Sequence, residues 1–363
     1  MTDASASAVE RDSPYLSPRE LLLAEAAKAI LIKDGPYGTA IQAAGLDEAA
    51  YRGATGLPLD QKGNNDLVNL TQPQLIASIC QAYIDAGARV LATNSFNANR
   101  ISQADYGAEG LVREINVAAA KVIRETVDAA SAKDGVPRFV VGALGPTNKT
   151  LSLSPDVNDP GFREVDFDTV AEVYREQAGA LIEGGADYIL IETVFDTLNA
   201  KAAIFGVKAL EAELGRDVPL MLSMTLTDLS GRNLSGHTVE AFWWAVRHAR
   251  PVTVGLNCSF GATQLRPHIR LLSGIADCLL MAYPNAGLPN DLGEYDELPE
   301  TTASLVREWA EAGQANILGG CCGNTPAHIA AMARAVKGLA PRKVPTLEPI
   351  TRLAGLEPFV MAA

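Results

Sequence analysis

Three stretches of the chain share one plan: "AYIDAGARVLATNSF", "ALIEGGADYILIETVF" and "EWAEAGQANILGGCC" each run a helical pattern into a glycine and then into a short aliphatic or β-branched run. Gly87, Gly185 and Gly313 stand where a left-handed C-terminal cap lets a helix turn back into a sheet. The alternation extends along the whole chain. Apolar runs at 30–34, 88–93, 138–144, 187–192, 218–225, 252–258, 278–283 and 315–320 read as strands. Helical patterns follow at 71–86, 111–130, 168–184, 197–214, 238–250, 262–275, 299–312 and 325–338. The runs are continuous rather than alternating, as strands covered on both faces must be. Eight parallel strands interleaved with helices predict an α/β fold, a single (β/α)8 TIM barrel. No Gly-x-Gly-x-x-Gly follows the first strand, which speaks against a dinucleotide-binding sheet.

A chain of 363 residues, 48% hydrophobic, suits one such barrel, and no shift of composition marks a second domain. Residues 1–16 are small and polar and are expected to lack order. Ser17, Pro18 and Glu20 have the spacing of a capping box and open an N-terminal helical extension. The barrel is expected to span 17–340, with the proline-punctuated residues 341–363 as a strap or linker remnant. The N-terminus has no basic and then apolar stretch to act as a leader, and "AILI" is too short to span a membrane. A net charge of −13 without a basic patch argues against nucleic acid and anionic membrane as partners. Five cysteines, an odd number in a chain with ample core, point to a reducing, cytoplasmic setting rather than a disulfide framework.

In a parallel barrel, chemistry gathers at the C-terminal strand ends, whose loops face one mouth. Strand six ends in "GLNCSFG" and strand eight in "GGCCGNT", so Cys258, Cys321 and Cys322 lie two positions apart around the ring. Three converging thiolates make a soft tetrahedral site with one corner open, for which zinc is the best match. Gly319, Gly320 and Gly323 give adjacent cysteines the freedom to face one ion. Two other readings stand beside this one: a strained vicinal disulfide, and a structural zinc with His328 as fourth ligand. His328, however, also fits the first turn of a helix capped by Thr325. Cys80 and Cys278 read as small buried hydrophobes. Thiolate-rich zinc activates water poorly, yet it binds an incoming thiol and lowers its pKa from about 8.5, which suits alkyl transfer to sulfur. Asp34 and Glu192 end strands one and four and can face an ammonium across the mouth; a local turn and a salt bridge are the plainer readings. The loop "DGPYGT", with Gly35 and Gly38, can hold a carboxylate in a backbone nest.

The stretches "KGNNDLVNLT", "LGPTNKTLSLSPDVNDPGF", "GGADYILIETVFDTLNAKAA", "SGRNLSGHTVEAF", "GLNCSFG", "PNAGLPNDLGEYD" and "GGCCGNTPAHIAAMARAVKGLAPR" resemble the homocysteine-binding barrel of cobalamin-dependent methionine synthase. The resemblance runs from about residue 30 to the C-terminus. It implies a homocysteine S-methyltransferase with Zn2+ on Cys258, Cys321 and Cys322, the homocysteine thiolate taking the open corner and attacking methylcobalamin to give methionine. It further implies that Asp34 and Glu192 bind the amine and Gly35 the carboxylate, with Thr93, Asn94 and Asn257 counted among the substrate-binding residues and no catalytic group beyond the zinc site. Family members usually carry an acid where Ala92 stands, Ala-Met where Pro36 and Tyr37 stand, and His where Cys80 stands. They generally continue into pterin and cobalamin modules, whereas this sequence ends after "RLAGLEPFVM". The expectation is therefore one piece of a split methionine synthase that meets a separate cobalamin- and pterin-binding subunit. A methyltransferase using betaine or S-methylmethionine, and a non-catalytic zinc- or thiol-binding regulator, are the alternatives.

Overall fold

The computed structural model describes residues 16–361. The expected lack of order over residues 1–16 lies, Leu16 apart, outside the described residues. Eight parallel strands form one sheet: β1 (Leu31–Ile32), β2 (Val90–Ala92), β3 (Phe139–Leu144), β4 (Tyr188–Val194), β5 (Leu220–Met224), β6 (Thr253–Gly261), β7 (Leu279–Asn285) and β8 (Ile317–Leu318). From β2 onward each strand pairs with the next, and β8 returns to β1. The remaining seam, between β1 and β2, is joined by the Lys33–Val90 bridge and by the Arg89 amide donating to Ile32 at 2.7 Å. The barrel expected from the sequence is the fold observed.

Adjacent strand residues divide between two buried groups. Leu31, Val141, Leu190, Met221, Met281 and Ile317 pack together inside the ring. Their neighbours Ile32, Val140, Ile189, Leu220, Leu280 and Leu318 pack with the surrounding helices. With both faces apolar, the strands have no polar side and read as unbroken hydrophobic runs.

The N-terminal helix Pro18–Lys28 starts at the expected capping box, with Ser17 and Glu20 bonded reciprocally. Its Leu22 and Ala26 belong to the interior group of the barrel, and Arg89 holds its Glu25 at 2.7 Å. It thus plugs the end of the barrel where the strands begin. Only the end where they finish is left as a mouth.

Strands β1 and β8 are shorter than their apolar runs, although the Lys33 and Gly319 amides still donate to the Leu318 and Ala282 carbonyls at 2.8 and 3.1 Å. There the two segments approach so closely that a Cβ on Gly319 would lie 2.8 Å from that of Lys33. Four short helices, Tyr37–Ala43, Glu48–Arg52, Val68–Thr71 and Arg100–Gln103, were not expected; none is long enough to display an amphipathic period. The strap begins with buried Arg342, whose guanidinium donates to the carbonyls of Ser273 and Cys278 at 3.0 and 2.8 Å. It ends in an antiparallel hairpin, Arg352–Ala354 with Pro358–Val360, and Arg352 lies 4.9 Å from the Trp244 ring centroid. Among the described residues, no helix is long and apolar enough to cross a membrane.

Candidate functional site

Cys258 owes its direction to a break in β6. The register with β7 shifts between Asn257 and Gly261, and Cys258 and Ser259 take left-handed φ values of 61° and 60°. Such a bulge re-aims a side chain at a barrel rim. Non-glycine residues with positive φ are costly and persist only where the surroundings enforce them. Cys321 and Cys322 follow β8 directly. The Cys321 amide donates to Pro284 at 2.8 Å, and the Cys322 carbonyl accepts from Ala286 at 2.9 Å. Gly323 turns the chain away with φ 76°, and any Cβ there would lie 2.3 Å from Tyr295.

As a result, the three sulfurs lie within 4.8 Å of one another, with Cys258 and Cys322 at 3.7 Å. All five cysteines of the chain are free. Hydrogen bonds from Cys258 and Cys321 pull the Cys322 thiol far below its ordinary value, while Cys321, as the donor, is pushed well above its own. The cluster therefore favours a shared negative charge and suits a thiophilic cation. Beside it, the Asn285 Oδ1 is buried with no hydrogen-bond partner among the described residues, while its Nδ2 reaches the Tyr295 hydroxyl at 3.5 Å. An oxygen left in this state fits a site built around an ion. The vicinal cysteines are not disulfide-bonded, and His328 is engaged elsewhere. Its Nδ1 meets Thr325 Oγ1 at 2.9 Å and its Nε2 meets the Glu297 carbonyl at 2.8 Å, as the helix-cap reading expects.

The sulfurs open onto a cavity of about 250 Å³. Gly35, Thr93, Asn94 and Glu192 line it, as do all three cysteines. Glu192 accepts from the Tyr283 hydroxyl at 3.0 Å, and burial raises its pKa above the ordinary carboxylate value. Asn94 donates to the Asn65 carbonyl at 2.7 Å, and Thr93 accepts from the Ala143 amide at 2.9 Å. Asp34 and Asn257 stand behind the wall. Asp34 is fully buried and spends its two oxygens on Lys33 Nζ at 2.8 Å and the Ala92 amide at 2.7 Å. Asn257 bonds Ser223 at 2.6 Å and Thr193 at 2.8 Å, with its Nδ2 3.9 Å from the Cys321 sulfur. The "DGPYGT" segment turns into a helix: Pro36 is the N-cap of Tyr37–Ala43, and Gly35 and Gly38 line the cavity. Cys80 is buried in the helical shell, as expected; Cys278 is half-buried.

Lys33, Asp66 and Tyr283 also line the cavity and were missed from the sequence. Tyr283 was in view at the end of strand seven, in "AYPNAG", and Lys33 sits next to a chosen aspartate. Asp66, in "KGNNDLVNLT", lies deep in the long connection after β1 rather than at a strand's end, so a search of strand ends passes over it. Burial pushes the Asp66 carboxyl from 3.8 to about 7, against one hydrogen bond from the Asn97 amide at 3.0 Å. Between those two pH values the folded chain holds a proton that the unfolded chain has lost, so this group makes stability fall as pH rises. Asp66→Asn is expected to remove that fall. Melting curves of the two proteins should coincide near about pH 4 and separate toward neutrality, with the variant the more stable; parallel curves across the range would refute the assignment.

Residues 31–336 match the sequence profile of the family described as homocysteine S-methyltransferase. Among solved structures, the metallated form of the homocysteine methyltransferase MmuM from Escherichia coli is similar at 24% identity, covering 88% of this chain and 99% of that one with a TM-score of 0.68. The oxidized form of the same protein aligns over the same shares at 22% identity and TM-score 0.68. Its apo form covers 88% of this chain and 100% of that one, at 22% identity and TM-score 0.63. At these identities the likeness is one of fold.

Proposed function

The chain belongs to the homocysteine S-methyltransferase family, and on that premise we propose that it makes methionine from homocysteine with methylcobalamin, carried by a separate protein, as the methyl donor. It is a methyltransferase, and the observation that carries the finer reading is the sulfur triad opening onto a cavity that also presents a buried carboxylate, Glu192. Cys258, Cys321 and Cys322 are the residues that hold zinc. Zinc bound there supplies a Lewis acid that keeps a substrate thiol ionised near neutral pH. The metallated state of the similar MmuM protein agrees with a metal at such a site.

The chain's own residues bind and orient. Glu192, held by Tyr283, accepts the substrate's ammonium, and Thr93 and Asn94 shape the wall beside it. Behind the wall, Asp34 holds the Lys33 ammonium, and Asn257 fixes the Cys321 side chain. Tyr295 packs against Gly323, next to the cysteines. The gain from such an arrangement is orientation, since a held nucleophile needs no further ordering to react. The functional unit is 17–340, with 341–363 as its strap. Free cysteines fit a cytoplasmic setting.

Two features support a protein-borne donor. The "SPDVNDPGF" and "ETVFDTLNAKAA" stretches resemble the cobalamin-dependent branch. In addition, Val157, Leu229 and Leu292, on loops that follow β3, β5 and β7, are 91%, 78% and 82% exposed around the mouth, where a partner would cover them. The test is to supply homocysteine with methylcobalamin, betaine or S-methylmethionine in turn and to assay methionine. Methionine from methylcobalamin alone is expected; turnover with betaine or S-methylmethionine instead would overturn the choice of donor.

A further inference from the structure

Four non-glycine residues among those described have left-handed backbones: Thr193, Arg250, Cys258 and Ser259. Thr193 and Cys258 line the cavity at the mouth, and Ser259 adjoins Cys258. Arg250 stands elsewhere, just before β6, at the end of the barrel where the strands begin. Its φ of 50° and ψ of 53° are unfavourable for a residue with a Cβ, and the Pro251 that follows favours an extended backbone here instead. Strain of this kind gathers at working sites, as the three residues at the mouth illustrate.

Arg250 shares a cleft of about 710 Å³ with Arg19 and Arg247, below the first residues of β6 and β7 and against the N-terminal helix. Arg19 donates to Asp217 at 2.7 and 3.1 Å and to the Arg250 carbonyl at 3.3 Å, which pins the left-handed turn. Arg247 donates to Asp277 through Nε at 3.0 Å, while its Nη1 has no hydrogen-bond partner among the described residues. Two carboxylates thus offset two guanidiniums. The third, on Arg250, has neither a hydrogen bond nor an ion pair among the described residues. His248 lines the same cleft and can offer a ring N–H. In a chain of net charge −13, unspent cationic donors gathered in one cleft make a local attractor for anions.

Much of the remaining lining is apolar. Leu23 and Val344 are 41% and 42% exposed there, together with the buried Val252 and Leu279. Guanidinium forks match the oxygens of a phosphate, and forks on separate residues can take separate oxygens. A volume in the range of small-molecule sites leaves room for more than an inorganic ion.

We propose that this cleft is a second binding site, for a small organic phosphate monoester. Arg250 and the free Nη1 of Arg247 take the phosphate, and Leu23 and Val344 take an apolar body attached to it. The cleft shares no lining residue with the sulfur cavity, so the site goes beyond methyl transfer and stands independently of the homocysteine reading.

Phenyl phosphate carries both features in minimal form. Calorimetric titration of the full-length chain with phenyl phosphate, inorganic phosphate and phenol tests the pairing. Phenyl phosphate should bind once per chain and about tenfold more tightly than inorganic phosphate, with phenol not bound. Arg250→Gly removes the guanidinium and suits the left-handed backbone, so it should lose about 10- to 100-fold in affinity while melting no lower than the parent. Arg250→Asn, which also tolerates this backbone, gives a second neutral variant. Arg270→Gln removes an equal charge from the helix Ala262–Ile275, outside the cleft, and should bind as the parent does. No binding to the parent, an unchanged affinity in both Arg250 variants, or the same loss in Arg270→Gln would overturn the proposal. Equal affinity for phenyl phosphate and inorganic phosphate would do so as well, since the apolar wall would then meet no ligand.

Discussion

Cys321→Ala is expected to abolish zinc retention and methyl transfer together. The three sulfurs lie within 4.8 Å of one another and come from two strand ends, so each supplies a third of the protein's donor set. Loss of a partner that merely orients a ligand typically weakens metal binding by about 10- to 100-fold, and loss of a ligand itself should exceed that range. The fold should survive, because Cys321 is only partly buried at the margin of the barrel's interior group. Metal analysis of the purified variant, beside a methionine assay, reads both effects. Cys80→Ala is the control: its thiol lies in the helical shell, where burial pushes its pKa up to about 12, and its removal should leave metal content intact. Unchanged zinc in Cys321→Ala would sink the three-thiolate site.

Glu192→Gln should raise the KM for homocysteine by about 10- to 100-fold, the usual worth of a hydrogen bond to a charged group. Glutamine has the same shape and can still accept from the Tyr283 hydroxyl 3.0 Å from the present carboxylate, so the cavity wall should keep its form. What disappears is the negative charge facing the substrate's ammonium. Because that contact is made in the bound substrate as well as during transfer, kcat should change far less than KM. Zinc content should also be unchanged, as Glu192 is not among the clustered thiols. Steady-state kinetics over a range of homocysteine concentrations separates the two parameters, and an unaltered KM would remove Glu192 from the binding site.

The barrel was legible because its strands are covered on both sides. Leu190 faces the interior and Ile189 the helices, so neither face needs polar residues, and every strand appears as a plain apolar run. The helix caps were equally plain, since Gly87, Gly185 and Gly313 do take positive φ at 101°, 108° and 63°. The short helix Tyr37–Ala43 was not, because seven residues show no periodicity and its N-cap Pro36 makes no side-chain capping bond. The clustered cysteines were legible for a topological reason. Once strands six and eight are placed in one ring, Cys258 and the Cys321–Cys322 pair must open onto the same mouth.

Residue types and their spacing thus determined the eight-fold alternation, the longer helices and the three cysteines that meet. The alternation of strands and helices and the burial of the strands are repeated, local properties, and they are written in periodicity and turn residues. Glu192 apart, tertiary structure alone decided which charged groups line the cavity. Asp34 and Lys33 are neighbours in sequence, yet Asp34 is sealed by the Ala92 amide while Lys33 lines the pocket over Tyr283. Asp66 arrives there from deep in the long connection after β1, far from any strand end. Which of two adjacent side chains turns inward depends on where β1 ends beside Gly319, and on partners from distant strands that no local pattern can name.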